Sequence, residues 1–271
     1  MPGMSKNHVT VLSGASRGLG RAIAEQLMDR PGQQRLLCIS RTSSDSLAVV
    51  AQEARAQLEQ WTLDLIDARH GAIQLSHWLG QLDSAAVDTV TLINNAATLA
   101  SLRQLDSTAG TDVSDALRVG LEAPMMLTAA FLSATRTWRA QRRVLNISSS
   151  AGRKPTSGQA PYSAAKAGMD HYTRVVALEQ SVVPNGARLV SVAPGNMDTD
   201  MQHELRNSDP LQFPDGPRFV RFKEEGRLQS PARVAEQLLD LLEREDFGDE
   251  PVMYLHRAFG GSGSDSPATV F

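Results

Sequence analysis

The chain is poor in cysteine, lysine and tyrosine, and it has no excess of charge of either sign. Its one cysteine, Cys38, can close no internal disulfide, and it stands in the apolar run "RLLCIS", where a buried small hydrophobe is the fitting role. With 27 basic against 30 acidic residues the net charge is -3, which argues against nucleic acid or an anionic membrane as partner. No run approaches the roughly 18 apolar residues of a spanning helix. The opening "MPGMSKNHVTVLSG" lacks the charged region and apolar block of a secretory signal, so a cytoplasmic protein is expected. The 6 histidines, His8, His70, His77, His171, His203 and His256, show no paired ligand spacing, and no metal is expected. Only 4 lysines accompany 23 arginines, so a lysine inside a motif stands out.

What is present is alternation. Apolar runs "HVTVLS", "RLLCIS", "QWTLD", "DTVTLIN", "RRVLNIS", "ARLVSVA" and "PVMYLH" are separated by stretches of helical period at 21–30, 46–58, 68–82, 114–139, 161–183 and 231–244. Repeated strand–helix units imply right-handed crossovers. The expected fold is α/β: one doubly wound (Rossmann) domain over 1–271, with seven parallel strands and helices on both faces. No linker divides the chain and no repeat is seen. Residues 207–230, rich in Pro, Phe and charge, read as an insertion before the last long helix, and 260–271 as a flexible end.

Directly after the first run comes "SGASRGLGRAIAEQL". Gly14, Gly18 and Gly20 fall between a strand and a helix, where free backbone N–H groups and the helix dipole attract a phosphate and a Cβ would block its approach. Further on, Tyr162 and Lys166 are four residues apart on an expected helix and so share a face.

The spacing Gly-x-x-x-Gly-x-Gly, together with "LINNAA", "LNISSSAG", "PYSAAKAG" and "SVAPGNMDTDM" in that order along the chain, resembles the short-chain dehydrogenase/reductase family. The resemblance implies an oxidoreductase using a nicotinamide cofactor. It makes Ser149, Tyr162 and Lys166 the catalytic set: Ser149 donates to a substrate carbonyl, Tyr162 delivers a proton, and the Lys166 ammonium makes the phenol more acidic. Strand alternation is expected to aim Ser148 and Ser150 elsewhere. Cofactor contacts are expected from Gly14, Ser16, Arg17, Gly18, Leu19 and Gly20 in the turn. Asp64 and Leu65 would serve the adenine, Asn94 and Ala96 the ribose, and Pro194, Gly195, Met197 and Thr199 the nicotinamide, with Tyr162 and Lys166. After the second strand stands "ISRTSS", with no acidic residue for a ribose 2′-hydroxyl. Ser40, Arg41 and Arg17 instead suit a 2′-phosphate, so NADPH/NADP is the expected cofactor.

Three positions depart from the family pattern: Ser13 for threonine, Ala97 for glycine, and Gly120 for the asparagine that holds a water behind the lysine. Gly120 is expected to slow proton resupply unless it leaves room for a substitute water. Within the family the sequence is most similar to the sepiapterin reductase and bacterial benzil reductase branch, on "APMMLT", "PGNMDTDMQHELR" and "RFVRFKEEGRLQSPARVAEQLLDLLE". That implies reduction of one carbonyl of a small dicarbonyl or aromatic ketone; Met197, Met201, Phe213, Phe219 and Phe222 either wall its pocket or pack the 207–230 insertion as ordinary core. A 3-oxoacyl-carrier-protein reductase-like enzyme and a non-catalytic NADP-binding protein stay open as alternatives. A homodimer or homotetramer is expected to pair through 114–139 and 161–183, burying residues such as Leu117, Met125, Met126, Ala129, Leu132 and Val176.

Overall fold

A computed structural model describes residues 6–260. The expected flexible end lies, from residue 261 on, outside the described residues. Seven strands, β1 (Asn7–Ser13), β2 (Gln33–Ser40), β3 (Gln57–Thr62), β4 (Thr89–Asn94), β5 (Gln141–Ile147), β6 (Arg188–Ala193) and β7 (Val252–Tyr254), form one sheet in the order β3-β2-β1-β4-β5-β6-β7. Every pairing is parallel.

Parallel strands need covering on both sides, and the side chains alternate accordingly. In β2, Leu36 and Cys38 enter one core while Leu37 and Ile39 enter the other. The first core lies under α1 (Gly18–Asp29), α2 (Asp45–Ala54) and α9 (Pro231–Glu243), through Ile23, Leu47 and Leu238. The second lies under α3 (Ala68–Gly80) and α5 (Ala123–Ala134), through Leu75, Leu127 and Phe131. Truncating a side chain as enclosed as Phe131 to alanine is expected to destabilise by about 3–5 kcal/mol.

The strand order reverses between β1 and β4, and in such sheets ligands settle in the crevice at that point. The site is therefore placed by topology before any side chain is considered.

Several elements differ from the sequence expectation. The second helix does not run to residue 58: Arg55 takes the left-handed conformation (φ 55) and closes α2, and β3 begins at Gln57, three residues before "QWTLD". Leu58 still meets the first core, but from a strand, which is why its helical period misled. The segment 114–139 is longer at its start and shorter at its end. It comprises α4 (Gly110–Leu117), a π-helical turn (Arg118–Glu122) and α5. By length and composition alone this stretch is apolar enough to cross a membrane, contrary to the expectation of no such segment. Its buried residues Ala123, Leu127 and Phe131 pack against α3 and the sheet.

Helix α6 (Ala160–Ser181) follows β5, and the short α10 (Leu255–Ala258) follows β7. Between β6 and α9 lie two helices the period did not reveal, α7 (Asp200–Arg206) and α8 (Gly216–Glu224). The base of this α7–α8 segment is stitched: Gln229 N–H donates to the Asn196 carbonyl and Asp198 N–H to the Gln229 carbonyl, both at 3.0 Å.

Candidate active site

The carboxyl ends of β1, β4, β5 and β6 open onto a cavity of about 800 Å³, within the usual range for a ligand site. Its floor begins at the glycine turn. Gly14 (φ +73) and Gly18 (φ +55) need backbone angles that other residues rarely adopt. A Cβ on Gly14 would lie 2.9 Å from the Ala96 Cα, and one on Gly20 only 2.0 Å from the Gly14 carbonyl oxygen. The turn is fixed from three sides. Ser13 Oγ accepts from the Asn95 and Ala96 N–H groups at 3.0 and 3.1 Å. The Asn95 amide donates to the Ser13 and Gly14 carbonyls at 3.1 and 3.0 Å. Ser40 Oγ accepts from Ala15 N–H at 2.9 Å.

All but one of the expected catalytic and cofactor-binding residues line this cavity. Gly14, Ser16, Arg17, Gly18, Leu19, Gly20, Ser40, Arg41, Asp64, Leu65 and Ala96 line one end, and Ser149, Tyr162, Lys166, Pro194, Gly195, Met197 and Thr199 the other. The exception is Asn94. It is buried, with its amide donating to Thr128 Oγ1 at 3.2 Å and Asn146 Oδ1 at 2.8 Å, so it stiffens the core. Its neighbour Asn95 faces the turn, because successive strand residues point to opposite faces. The doubled Asn-Asn was the available signal; its phase was not.

At the other end, Ser149 closes β5 and caps the short turn after it, accepting from Ala151 N–H at 3.2 Å. The Tyr162 phenol is buried and interacts with Ser149. Burial raises the phenol above its ordinary range, and the hydrogen bond with Ser149 only partly offsets this. Lys166 Nζ lies 5.7 Å from the Tyr162 ring centroid and donates to the Ile147 carbonyl at 2.7 Å. Its ammonium is desolvated, which lowers its pKa to about 8, with Asp170 opposing the shift. Ser148 and Ser150 also line the cavity, contrary to expectation, since the chain turns as it leaves the strand. Ser148 Oγ is buried and has no hydrogen-bond partner.

Lys166 is seated by glycines. A Cβ on Gly152 would lie 2.7 Å from the Lys166 carbonyl carbon. One on Gly168 would meet Leu121 Cδ2 at 2.8 Å, and one on Gly120 would meet Ala165 Cβ at 3.0 Å. A side chain at Gly120 would press on α6, so the glycine lets the π turn lie close against that helix.

The α7–α8 segment covers the far end. Met197, Met201 and Phe219 line the cavity as expected, but Phe213 and Phe222 do not. They form a second row: Phe213 stacks on Phe219 at 5.7 Å, and Phe222 meets Phe219 edge-on at 5.9 Å. Gln159, just before α6, and Asp115 of α4 also line the cavity and were missed, because nothing local marks a lone polar residue as facing a site.

The cradle suits a dinucleotide. The glycine turn is the kind of surface that backbone and diphosphate can share, and the unpartnered Ser148 hydroxyl points to a polar ligand. Arg41 and Arg17 are exposed at that end, Arg17 reaching Asp200 at 3.3 Å.

Comparison with known proteins agrees with this geometry. The family model described as short chain dehydrogenase matches residues 8–210. A benzil reductase ((S)-benzoin forming) of Bacillus cereus is 34% identical over 237 residues, covering 88% of this chain and 94% of that protein. A sepiapterin reductase of Xenopus tropicalis is 32% identical, covering 88% and 92%. Among solved structures, the KRED1-Pglu enzyme superposes with a TM-score of 0.74 at 27% identity, over 91% of this chain and 99% of that one. The strand order, the glycine turn at its reversal point and these matches lead to one conclusion: the chain is an oxidoreductase that belongs to the short-chain dehydrogenase family.

Proposed function

We propose that the protein is an NADPH-dependent carbonyl reductase acting on one carbonyl of a small vicinal dicarbonyl or aromatic ketone. The observation that carries this reading is the buried Tyr162 phenol beside Ser149, one helical turn from Lys166, at one end of a cavity whose other end is a glycine cradle. The reduced nicotinamide would supply hydride. Gly14, Gly18 and Gly20 would receive its diphosphate, Arg17 and Arg41 its 2′-phosphate, and Asp64 its adenine end. Pro194, Gly195, Met197 and Thr199 would face the nicotinamide end.

The chain's own part is to hold and deliver a proton. Ser149 Oγ accepts from Ala151 N–H and meets the Tyr162 phenol, so the two hydroxyls stand together where a carbonyl oxygen could accept from both. Tyr162, kept protonated by burial, is suited to give its phenolic proton to the oxygen that gains charge. The phenolate then left behind is stabilised by the nearby Lys166 ammonium. Phe219, backed by Phe213, offers a flat apolar wall of the kind an aromatic dicarbonyl would stack on. The benzil reductase likeness supports this substrate class.

The test is consumption of NADPH with vicinal diketones, pterins and acyl thioesters. Oxidation with a diketone is expected, and oxidation with thioesters alone would overturn the substrate class. Tyr162→Phe is expected to lower turnover by about 10²–10⁴-fold with cofactor binding retained. Unchanged turnover would overturn the mechanism.

A second copy of the chain would cover the exposed Met125 of α5, Val175 and Leu178 of α6 and Val182 just beyond it, which are 45%, 42%, 73% and 83% exposed. Light scattering that gave a monomer at micromolar concentration would remove this part of the reading.

A further inference from the structure

Behind Lys166, one turn further along α6, lies a buried carboxylate that the proposed chemistry does not use. Asp170 has a side chain only 4% exposed. It accepts from Arg153 Nε at 2.7 Å and Nη2 at 3.5 Å, and from Ser191 Oγ at 2.7 Å. Arg153 in turn lies over the Tyr254 ring at 4.4 Å. Three parts of the site thus meet at one carboxylate: the segment four residues beyond Ser149, the helix of Tyr162 and Lys166, and the strand that leads to Pro194.

The charge count here is unusual. Arg153 pairs with the buried anion directly, and Lys166, equally buried, stands four residues before Asp170 on the same face of α6. Lys166 Nζ bonds only to a neutral carbonyl, that of Ile147. A buried ammonium needs an opposite charge to stay ionised. The groups around it are few. On α6 they are Tyr162 and Asp170, and from the turn after β5 they are Ser149 and Arg153. From β6 comes Ser191, and from α4 Asp115 at the cavity wall. Arg118 and Glu122 of the π turn are exposed. Among the described residues, Asp170 is the charge that favours the Lys166 ammonium against its burial.

We propose that Asp170 is the counter-charge of Lys166 and that Arg153, by competing for the same carboxylate, governs how much of that charge Lys166 receives. Both are positioning residues: neither lines the cavity, and both act through Lys166. The inference rests on the reading that Tyr162 and Lys166 do the chemistry, but it makes a prediction independent of turnover. Removing the two partners has opposite consequences. Asp170→Asn deprives Lys166 of its anion, so it gives up its proton at lower pH. Arg153→Gln leaves the anion to Lys166 alone, so it holds its proton to higher pH.

With only four lysines, Lys6, Lys154, Lys166 and Lys223, a lysine-labelled sample of the ligand-free protein gives one resolved NMR titration per residue. In the unaltered protein Lys166 is expected to titrate near pH 8. The midpoint should move down in Asp170→Asn, up in Arg153→Gln, and stay in place in Arg153→Lys, which keeps the charge. The basic limb of the reductase pH profile should follow in the same directions. An unmoved Lys166 in Asp170→Asn, or shifts of the same sign in both variants, would overturn the proposal. If Asp170→Asn does not fold, as the other three lysine signals would reveal, the contrast between Arg153→Gln and Arg153→Lys decides alone. Tyr162→Phe separates the two readings. Turnover retained in Tyr162→Phe defeats the catalytic assignment, and a dead Tyr162→Phe with unmoved lysine midpoints defeats only the counter-charge.

Discussion

The two ends of the cavity are built on different principles. At the glycine turn the backbone itself is the working surface: Ser13, Ser40 and Asn95 fix it by five hydrogen bonds to main-chain groups, and no Cβ fits at Gly14 or Gly20. At the α7–α8 end side chains hold side chains. Asp198 there pairs with Lys223 at 2.6 Å and Arg206 at 3.4 Å, with Asp198 41% and Lys223 49% exposed. Exposed pairs of this kind contribute about 0–1 kcal/mol each. One end is rigid and intolerant, the other soft and exchangeable. An enzyme that keeps its cofactor while its substrates vary needs that division.

The sharpest way to break the contrast is Gly20→Ala. Its Cβ would collide with the Gly14 carbonyl, so loss of dinucleotide binding is expected, with destabilisation of at least the roughly 1–3 kcal/mol of an overpacked core. Calorimetric titration with NADPH beside thermal unfolding checks it, and normal binding would show that the turn is softer than its geometry. Next is Arg41→Asp at the edge of the rigid end. Loss of a charge-assisted hydrogen bond should weaken NADPH by about 10–100-fold and leave NADH little changed, read from the ratio of kcat/KM values.

Gly120→Asn would bring in the family's usual residue. From sequence it should raise turnover. From the contact with Ala165 it should lower turnover and cost about 1–3 kcal/mol of stability, because α6 must move. Single-turnover rates with unfolding curves distinguish the two. The smallest effect is expected at the soft end. Lys223→Ala should change stability by less than about 1 kcal/mol and alter KM for bulky carbonyl compounds without touching NADPH affinity.

How much the sequence disclosed follows the same division. The glycine turn was legible because only glycine fits its backbone, and the shared face of Tyr162 and Lys166 because residues four apart on a helix lie one above the other. Asn94 was mistaken for Asn95 because strand phase at the last residue depends on how the chain leaves the sheet. Helices α7 and α8 went unseen because they are short and their apolar residues, Met201, Leu205 and Phe219, gather with Phe213 in a small separate cluster and form no long stripe toward the main core. The end of α2 was lost because Arg55, not a glycine, takes the left-handed turn. The pairing of Arg153 with Asp170 was invisible for another reason: seventeen residues and a change of element separate them, and only the folded chain brings them together.

The stitched base of the α7–α8 segment has a consequence for how such a protein diversifies. Because Asn196, Asp198 and Gln229 are tied by two backbone bonds, the roughly thirty residues between them leave and re-enter the framework at nearly one point. Closing such a loop depends only weakly on its length. The stretch is therefore a cassette: a longer, shorter or unrelated insert could be grafted at that doorway and confer a new appetite for carbonyl compounds, while the sheet beneath stays as it was.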